Sequence, residues 1–148
     1  IVFNLDTHDK GGSHWVAMYI DLIKESIYYF DSNGVKAPSE VITLAERIKK
    51  EGKNLVSSDR NVNCSKSLGN LNMKYTENAP VQHQFSNTEC GIFVLYFIVR
   101  MLKGADFNEE FKNEKNLISD EHMTELREKY FNSSKHKSVY RGVKLNDK

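Results

Sequence analysis

Cysteine is scarce here: the 148 residues hold two, Cys64 and Cys90. Neither falls in a CxxC pair or a Cys/His spacing suited to zinc, so no metal site is expected. Such sparse use argues against a disulfide-stapled secreted scaffold and suits a reducing compartment, the cytoplasm or nucleus. Charge of one sign is also missing. Lys and Arg number 21 against 20 Asp and Glu, a formal net charge of +1, which leaves no case for nucleic-acid binding by bulk electrostatics. Apolar runs are short. Residues 91–99 (Gly-Ile-Phe-Val-Leu-Tyr-Phe-Ile-Val) are closed by Arg100 and Lys103, well under the roughly 18 residues of a membrane span. Repeats and low-complexity tracts are lacking too.

What is present fits a single domain large enough to enclose a core unaided. The chain opens Ile-Val-Phe-Asn-Leu-Asp, as if inside a strand, and an amino-terminal portion is expected to be absent. Residues 1–6 read as a strand, and Thr7 to Ser13 as a polar turn. Trp15 to Leu22 alternates strictly, with Val16, Met18, Ile20 and Leu22 on one face and Trp15, Ala17, Tyr19 and Asp21 on the other. Ser26 to Phe30 is aromatic and β-branched, and the short link before it predicts an antiparallel hairpin. Pro38 and Ser39 open a helix to about Lys50, stopped by Gly52. Residues 53–69 are polar and unassigned. A strand is predicted over Leu71 to Tyr75, and an irregular loop over Ala79 to Glu89. Cys90 to Leu102 is a helix apolar nearly all round, hence buried, ended by Gly104. Ser119 to Phe131 is an amphipathic helix with a Met123, Leu126, Tyr130 stripe. The expected division is a catalytic domain over 1–131 and a basic, loosely held tail over 132–148, with lysines at 135, 137, 144 and 148.

Four polar residues stand where nucleophilic chemistry would want them. Cys90 begins a helix, where unpaired backbone N–H groups and the helix dipole favour the thiolate. His14 stands at the mouth of the alternating strand and is suited to take the thiol proton and return it to a leaving amine. Asp31 ends the neighbouring strand, 17 residues on, where a hairpin returns to the same edge; it would fix the imidazole tautomer. Asn33 is the second-choice orienter. Gln84 and the Cys90 backbone N–H would supply an oxyanion hole, with Gln82 two residues away as the rival donor. Each residue has a plainer reading alone: Cys90 as a buried thiol, His14 as a surface turn residue, Asp31 as a turn former, Trp15 as sheet packing. His8, His83, His122 and His136 read as structural or solvated, and Cys64 as non-catalytic.

Taken together, His14-Trp15, Asp31, Gln84 and Cys90-Gly91 resemble the cysteine peptidases that include the SUMO and ubiquitin-like-protein proteases and the adenovirus maturation protease. The resemblance runs from residue 1 to about 103. Gln84 is chosen over Gln82 on that family's spacing. The words Gly-Gly-Ser-His-Trp, Tyr-Tyr-Phe-Asp-Ser and Asn-Thr-Glu-Cys-Gly look most like the proteases of large DNA viruses. The resemblance implies an α+β fold of the papain-like, adenain-like kind: a small, mostly antiparallel sheet flanked by helices, with the helix from Cys90 central and buried. It implies a cysteine-type endopeptidase that cuts protein substrates after small residues, at Gly-Gly or Gly-X sites, as in viral polyprotein processing. Trp15, Asn87 and Gly91 would contact substrate, Trp15 roofing a channel too narrow for side chains larger than glycine. A ubiquitin-like-protein deconjugating isopeptidase is the first alternative; an acyltransferase or an inactive binding module of the same fold follow. No cofactor or membrane is implied. The expected state is a monomer acting on a protein substrate, with packaging in a virion as an alternative location.

Overall fold

A computed structural model describes residues 1–6, 14–54 and 70–132. Among these, four strands form one sheet in the order β1 (Val2–Asn4), β2 (Trp15–Asp21), β3 (Ser26–Phe30), β4 (Lys74–Glu77). Three helices frame it: α1 (Ser39–Lys53) between β3 and β4, then α2 (Cys90–Leu102) and α4 (Asp120–Arg127) after β4. A single turn, α3 (Phe107–Glu110), stands between these last two, and a π-helical turn over Glu128–Asn132 extends α4. The polar turn at 7–13, the stretch 55–69 with Cys64, and the tail from 133, with His136 and its lysines, lie outside the described residues, as does His8.

The hairpin forms as the alternation predicts. β2 and β3 pair antiparallel from Ala17↔Phe30 to Asp21↔Ser26, and the Asp21 carboxylate accepts the Ile23 and Lys24 N–H groups across the turn at 3.0 and 2.8 Å. β1 is antiparallel to β2, but β4 runs parallel to β3. The sheet is therefore mixed, antiparallel in two of its three pairings. The parallel pairing follows from the crossover through α1, which returns the chain to the starting edge. β4 also begins three residues later than predicted. Leu71 and Met73 are buried instead as a lead-in that packs with α1.

Both faces of the hairpin are covered in its middle. Val16, Met18, Ile27 and Tyr29 pack with Val41 and Ala45 of α1. Ala17 and Phe30 pack with Ile92, Phe93, Val94 and Phe97 of α2, joined by Phe107, Phe111 and Met123. Phe30 and Phe97 stack at 5.0 Å between centroids. Burying these side chains supplies roughly 1.5–3 kcal/mol each, and it fixes α2 against β2.

Three expectations about the helices are corrected. Gly52 does not stop α1; it lies inside the helix and is buried, and a Cβ there would stand 3.3 Å from Met73 Cγ and 3.5 Å from Leu71 Cβ. Its use is close approach to the segment before β4. The helix from Cys90 is not buried all round, since Leu95 and Leu102 are exposed. The last helix ends as α-helix at Arg127 and widens into the π-helical turn, leaving Tyr130 exposed. Ser119 caps that helix as expected, accepting the His122 N–H at 3.2 Å. Gly104 follows α2 with φ +84°, the left-handed turn that releases the chain.

Candidate active site

β3 ends at Phe30, and the base-holding corner of the site is built on the next residue, Asp31. Asp31 is 1% exposed. Asn78 clamps its backbone, accepting the Asp31 N–H at 2.9 Å and donating to the Asp31 carbonyl at 2.8 Å, with a third bond to the Val81 carbonyl at 2.8 Å. A turn follows, with the Gly34 N–H on the Asp31 carbonyl at 2.9 Å and Gly34 at φ +70°. The Asp31 carboxylate is thus held rigidly, and its Oδ1 accepts the Asn33 N–H at 2.7 Å. Asn33 itself is exposed and contributes only this backbone donor.

His14, the residue before β2, meets that carboxylate: Nε2 donates to Asp31 Oδ1 at 2.7 Å. The bond assigns the proton to Nε2 and leaves Nδ1 with its lone pair. The arrangement is that of an imidazole base held by a carboxylate. Ser32 completes the corner. Its carbonyl receives both the His83 and the Gln84 N–H at 2.9 Å, and its hydroxyl donates to Gln84 Oε1 at 2.7 Å. Gln84 is buried, at 3% exposed, and its Nε2 donates to the Ser86 carbonyl at 2.7 Å. One amide hydrogen remains. Gln82 is exposed and spends its amide on the Gln84 carbonyl at 2.7 Å. Both glutamines are held through Nε2, and of the two only Gln84 is buried.

Cys90 is the first residue of α2 and carries a free, half-buried thiol. The Ile92 and Phe93 N–H groups both bond the Glu89 carbonyl, at 2.9 and 3.0 Å, so the helix begins cleanly at the cysteine. The Cys90 and Gly91 N–H groups, ahead of these two, have no carbonyl within the helix to bond. Gly91 stands in open space: a Cβ there would meet nothing within 4 Å. Trp15 is 41% exposed and Asn87 is exposed on the loop before Cys90. Among the described residues no group of His, Cys, Asp and Glu could hold a metal ion, and no helix is long and apolar enough to cross a membrane.

Sequence reasoning misses the supports. Asn78 and Ser32 bond Asp31 and Gln84 across 47 and 52 residues, and only a fold brings such pairs together. His83, read as structural or solvated, is structural: it is fully buried, donating from Nε2 to the Phe111 carbonyl at 2.9 Å and accepting the Ile118 N–H on Nδ1 at 3.1 Å. Burial holds its imidazole neutral by pushing its titration below 6.5. Tyr29 lies next to the corner. Burial, then the carboxylates of Asp31 and Glu77, raise its phenol far above the ordinary range.

A family model described as the Ulp1 protease family, C-terminal catalytic domain, matches residues 1–139. The chain is 31% identical over 130 residues to a protein of Acanthamoeba polyphaga mimivirus named for thiol protease activity, a match covering 88% of this chain and 37% of that protein. It is 32% identical over 132 residues to a cysteine protease of African swine fever virus, covering 88% of this chain and 42% of the relative. The crystal structure of the selenomethionine form of that viral protease superposes with a TM-score of 0.65 at 30% identity, over 85% of this chain and 41% of the other. The chain thus spans about two fifths of the length of these relatives.

Proposed function

Because the chain belongs to the Ulp1 protease family, we propose that it is the catalytic portion of a cysteine endopeptidase with Cys90 as nucleophile, His14 as general base, Asp31 as its orienter and Gln84 as oxyanion donor. The observation that carries this reading is the 2.7 Å bond from His14 Nε2 to a buried carboxylate, which turns Nδ1 into the free base. The thiol proton passes to Nδ1 as Sγ attacks the scissile carbonyl carbon. The Gln84 amide and the Cys90 N–H stabilise the resulting oxyanion, each worth roughly 2.7–4 kcal/mol. The imidazolium then protonates the leaving amine, the C–N bond breaks, and a thioester remains on Cys90. Water, deprotonated by His14, attacks the thioester, the C–S bond breaks, and the acid product leaves with the thiol restored.

The substrate is a protein cut after small residues, at Gly-Gly or Gly-X sites, in the manner of polyprotein processing. Open space at Gly91 beside the sulfur supports close passage of a substrate backbone, and Trp15 and Asn87 are both exposed and free to contact it. A second reading, release of a ubiquitin-like modifier, is favoured by one African swine fever virus relative being named a SUMO-1 cysteine protease. A panel of ubiquitin-like fusions and Gly-Gly-X and Gly-X-Gly-X peptides separates the two.

The decisive variant is Cys90→Ala in the full-length protein. It is expected to fold with an unchanged circular dichroism spectrum and melting temperature, to cleave none of the panel and to lose labelling by a glycine-ending vinyl-sulfone probe. Cleavage retained in the alanine variant overturns the reading.

A further inference from the structure

The segment that joins Gln84 to Cys90 is gripped at both ends by one helix. At its start, Asp120 Oδ2 accepts the N–H groups of Phe85 and Ser86 at 3.0 and 2.9 Å, and Oδ1 accepts the Ser86 hydroxyl at 3.2 Å. The Ser86 carbonyl is the group that receives Gln84 Nε2, so the carboxylate holds the oxyanion amide through one backbone unit. At its end, Arg127 Nε and Nη2 reach Glu89 Oε2 at 3.1 and 2.9 Å, and Nη2 also donates to the Thr88 carbonyl at 2.5 Å. Thr88 in turn donates its hydroxyl to Glu89 Oε1 at 3.0 Å.

Asp120 and Arg127 stand two helical turns apart, so they share a face with Met123 between them. Met123 is fully buried in the cluster that contains Ile92, Phe93 and Phe97 of α2. The same stripe that anchors α4 to the nucleophile's helix therefore presents an acceptor to one end of the loop and a cation to the other.

The Arg127 pair is more than a surface ion pair, which would be worth little. Glu89 is 7% exposed and directly precedes Cys90. An uncompensated carboxylate there would oppose both the thiolate and the oxyanion, by the same electrostatics through which the helix start favours them. We propose that Asp120 and Arg127 are positioning residues for the reaction, Asp120 fixing the oxyanion amide through Ser86 and Arg127 neutralising the carboxylate beside the nucleophile. This rests on the assignment of Cys90 and Gln84 made above.

The test follows iodoacetamide alkylation of Cys90 against pH, which needs no substrate, alongside steady-state cleavage of a fluorogenic Gly-Gly-X peptide by the full-length protein. Arg127→Met is expected to move the half-maximal pH of alkylation upward by roughly half a unit or more and to lower kcat about tenfold with KM little changed. Arg127→Lys keeps the charge and is expected to stay near wild type. Glu89→Gln combined with Arg127→Met removes the orphaned charge and is expected to return the alkylation profile to its original position, which a purely structural bridge would not do. Asp120→Ala is expected to lower kcat, again with KM nearly constant, and to leave the alkylation profile in place. Melting temperatures confirm that each variant is folded at the assay temperature. An Arg127→Met profile identical to wild type, or one the double variant fails to restore, overturns the role of Arg127; Asp120→Ala with wild-type kcat overturns that of Asp120. A wild-type Cys90 that iodoacetamide does not reach would instead sink the assignment of the nucleophile.

Discussion

At the residue scale the most consequential bond is the one between His14 and Asp31. A carboxylate that is buried, clamped through its backbone by Asn78 and already accepting the Asn33 N–H has no freedom to follow a wandering imidazole. The ring must come to it. Asp31→Asn would keep the shape and lose the charge that holds the Nε2 proton and stabilises the imidazolium. By analogy with the effect of a neutral orienter in serine triads, kcat is expected to fall on the order of 10³–10⁴-fold, with KM changing little; steady-state and single-turnover kinetics on a cleaved peptide measure it. An Asp31→Asn variant keeping more than about a tenth of wild-type kcat would show that the ring does not need the charge. His14, Asp31 and Cys90 are legible as candidates because each stands at the end of a strongly patterned segment. Gln84 over Gln82 is not legible from the residues themselves. What favours Gln84 in the proposed role is its burial against the Ser32 hydroxyl and carbonyl, far away in sequence.

At the scale of elements, β2, β3 and α2 are readable almost to the residue, since period-two alternation and a continuous apolar run leave little choice. Segments whose fate depends on a distant partner are not. Gly52 looks like a helix stop until Leu71 and Met73 are laid against it. α3 is one turn, nucleated by the Asp106 carboxylate on the Asn108 and Glu109 N–H groups at 2.9 and 3.1 Å, too short for periodicity to reveal. The turn after β3 carries its own prediction. At Gly34, φ is +70° and a Cβ would sit 2.8 Å from Gln82 N, Pro80 O and Val81 C, all backbone. Gly34→Ala must both strain the turn and push the 80–82 segment off it. It is expected to cost roughly 1–3 kcal/mol or more in urea denaturation and to depress activity in parallel, because that segment leads directly into Gln84. An alanine variant of unchanged stability would mean the turn yields more easily than its contacts indicate.

At the scale of the whole molecule, His83 links stability to pH. Its ring joins the residues after β4 to Phe111 and Ile118, two points on the connection between α3 and α4. Folding lowers its titration below the 6.5 of the free side chain, chiefly through burial. Between the folded value and about 6.5 the unfolded chain binds more protons, so stability rises with pH there. The contribution is complete above about 6.5 and is lost progressively as pH falls below it. Unfolding free energies measured from about pH 7.5 to 5.5 should therefore drop with a slope of up to about 1.4 kcal/mol per unit. His83→Phe, less stable throughout, should flatten that slope. Equal slopes in the two proteins would assign the pH dependence elsewhere.

One carbonyl has a last implication. Ser32 takes two successive amides, those of His83 and Gln84, one residue after the carboxylate that steers the imidazole. Breaking that junction frees both halves of the centre at once. Partial opening that spares one and exposes the other is thereby disfavoured, and deuterium uptake at the amides of residues 83 and 84 should occur as a single event, together with that of residue 33. The molecule would then be either competent or wholly inert, with no half-assembled form able to trap a peptide it cannot cut.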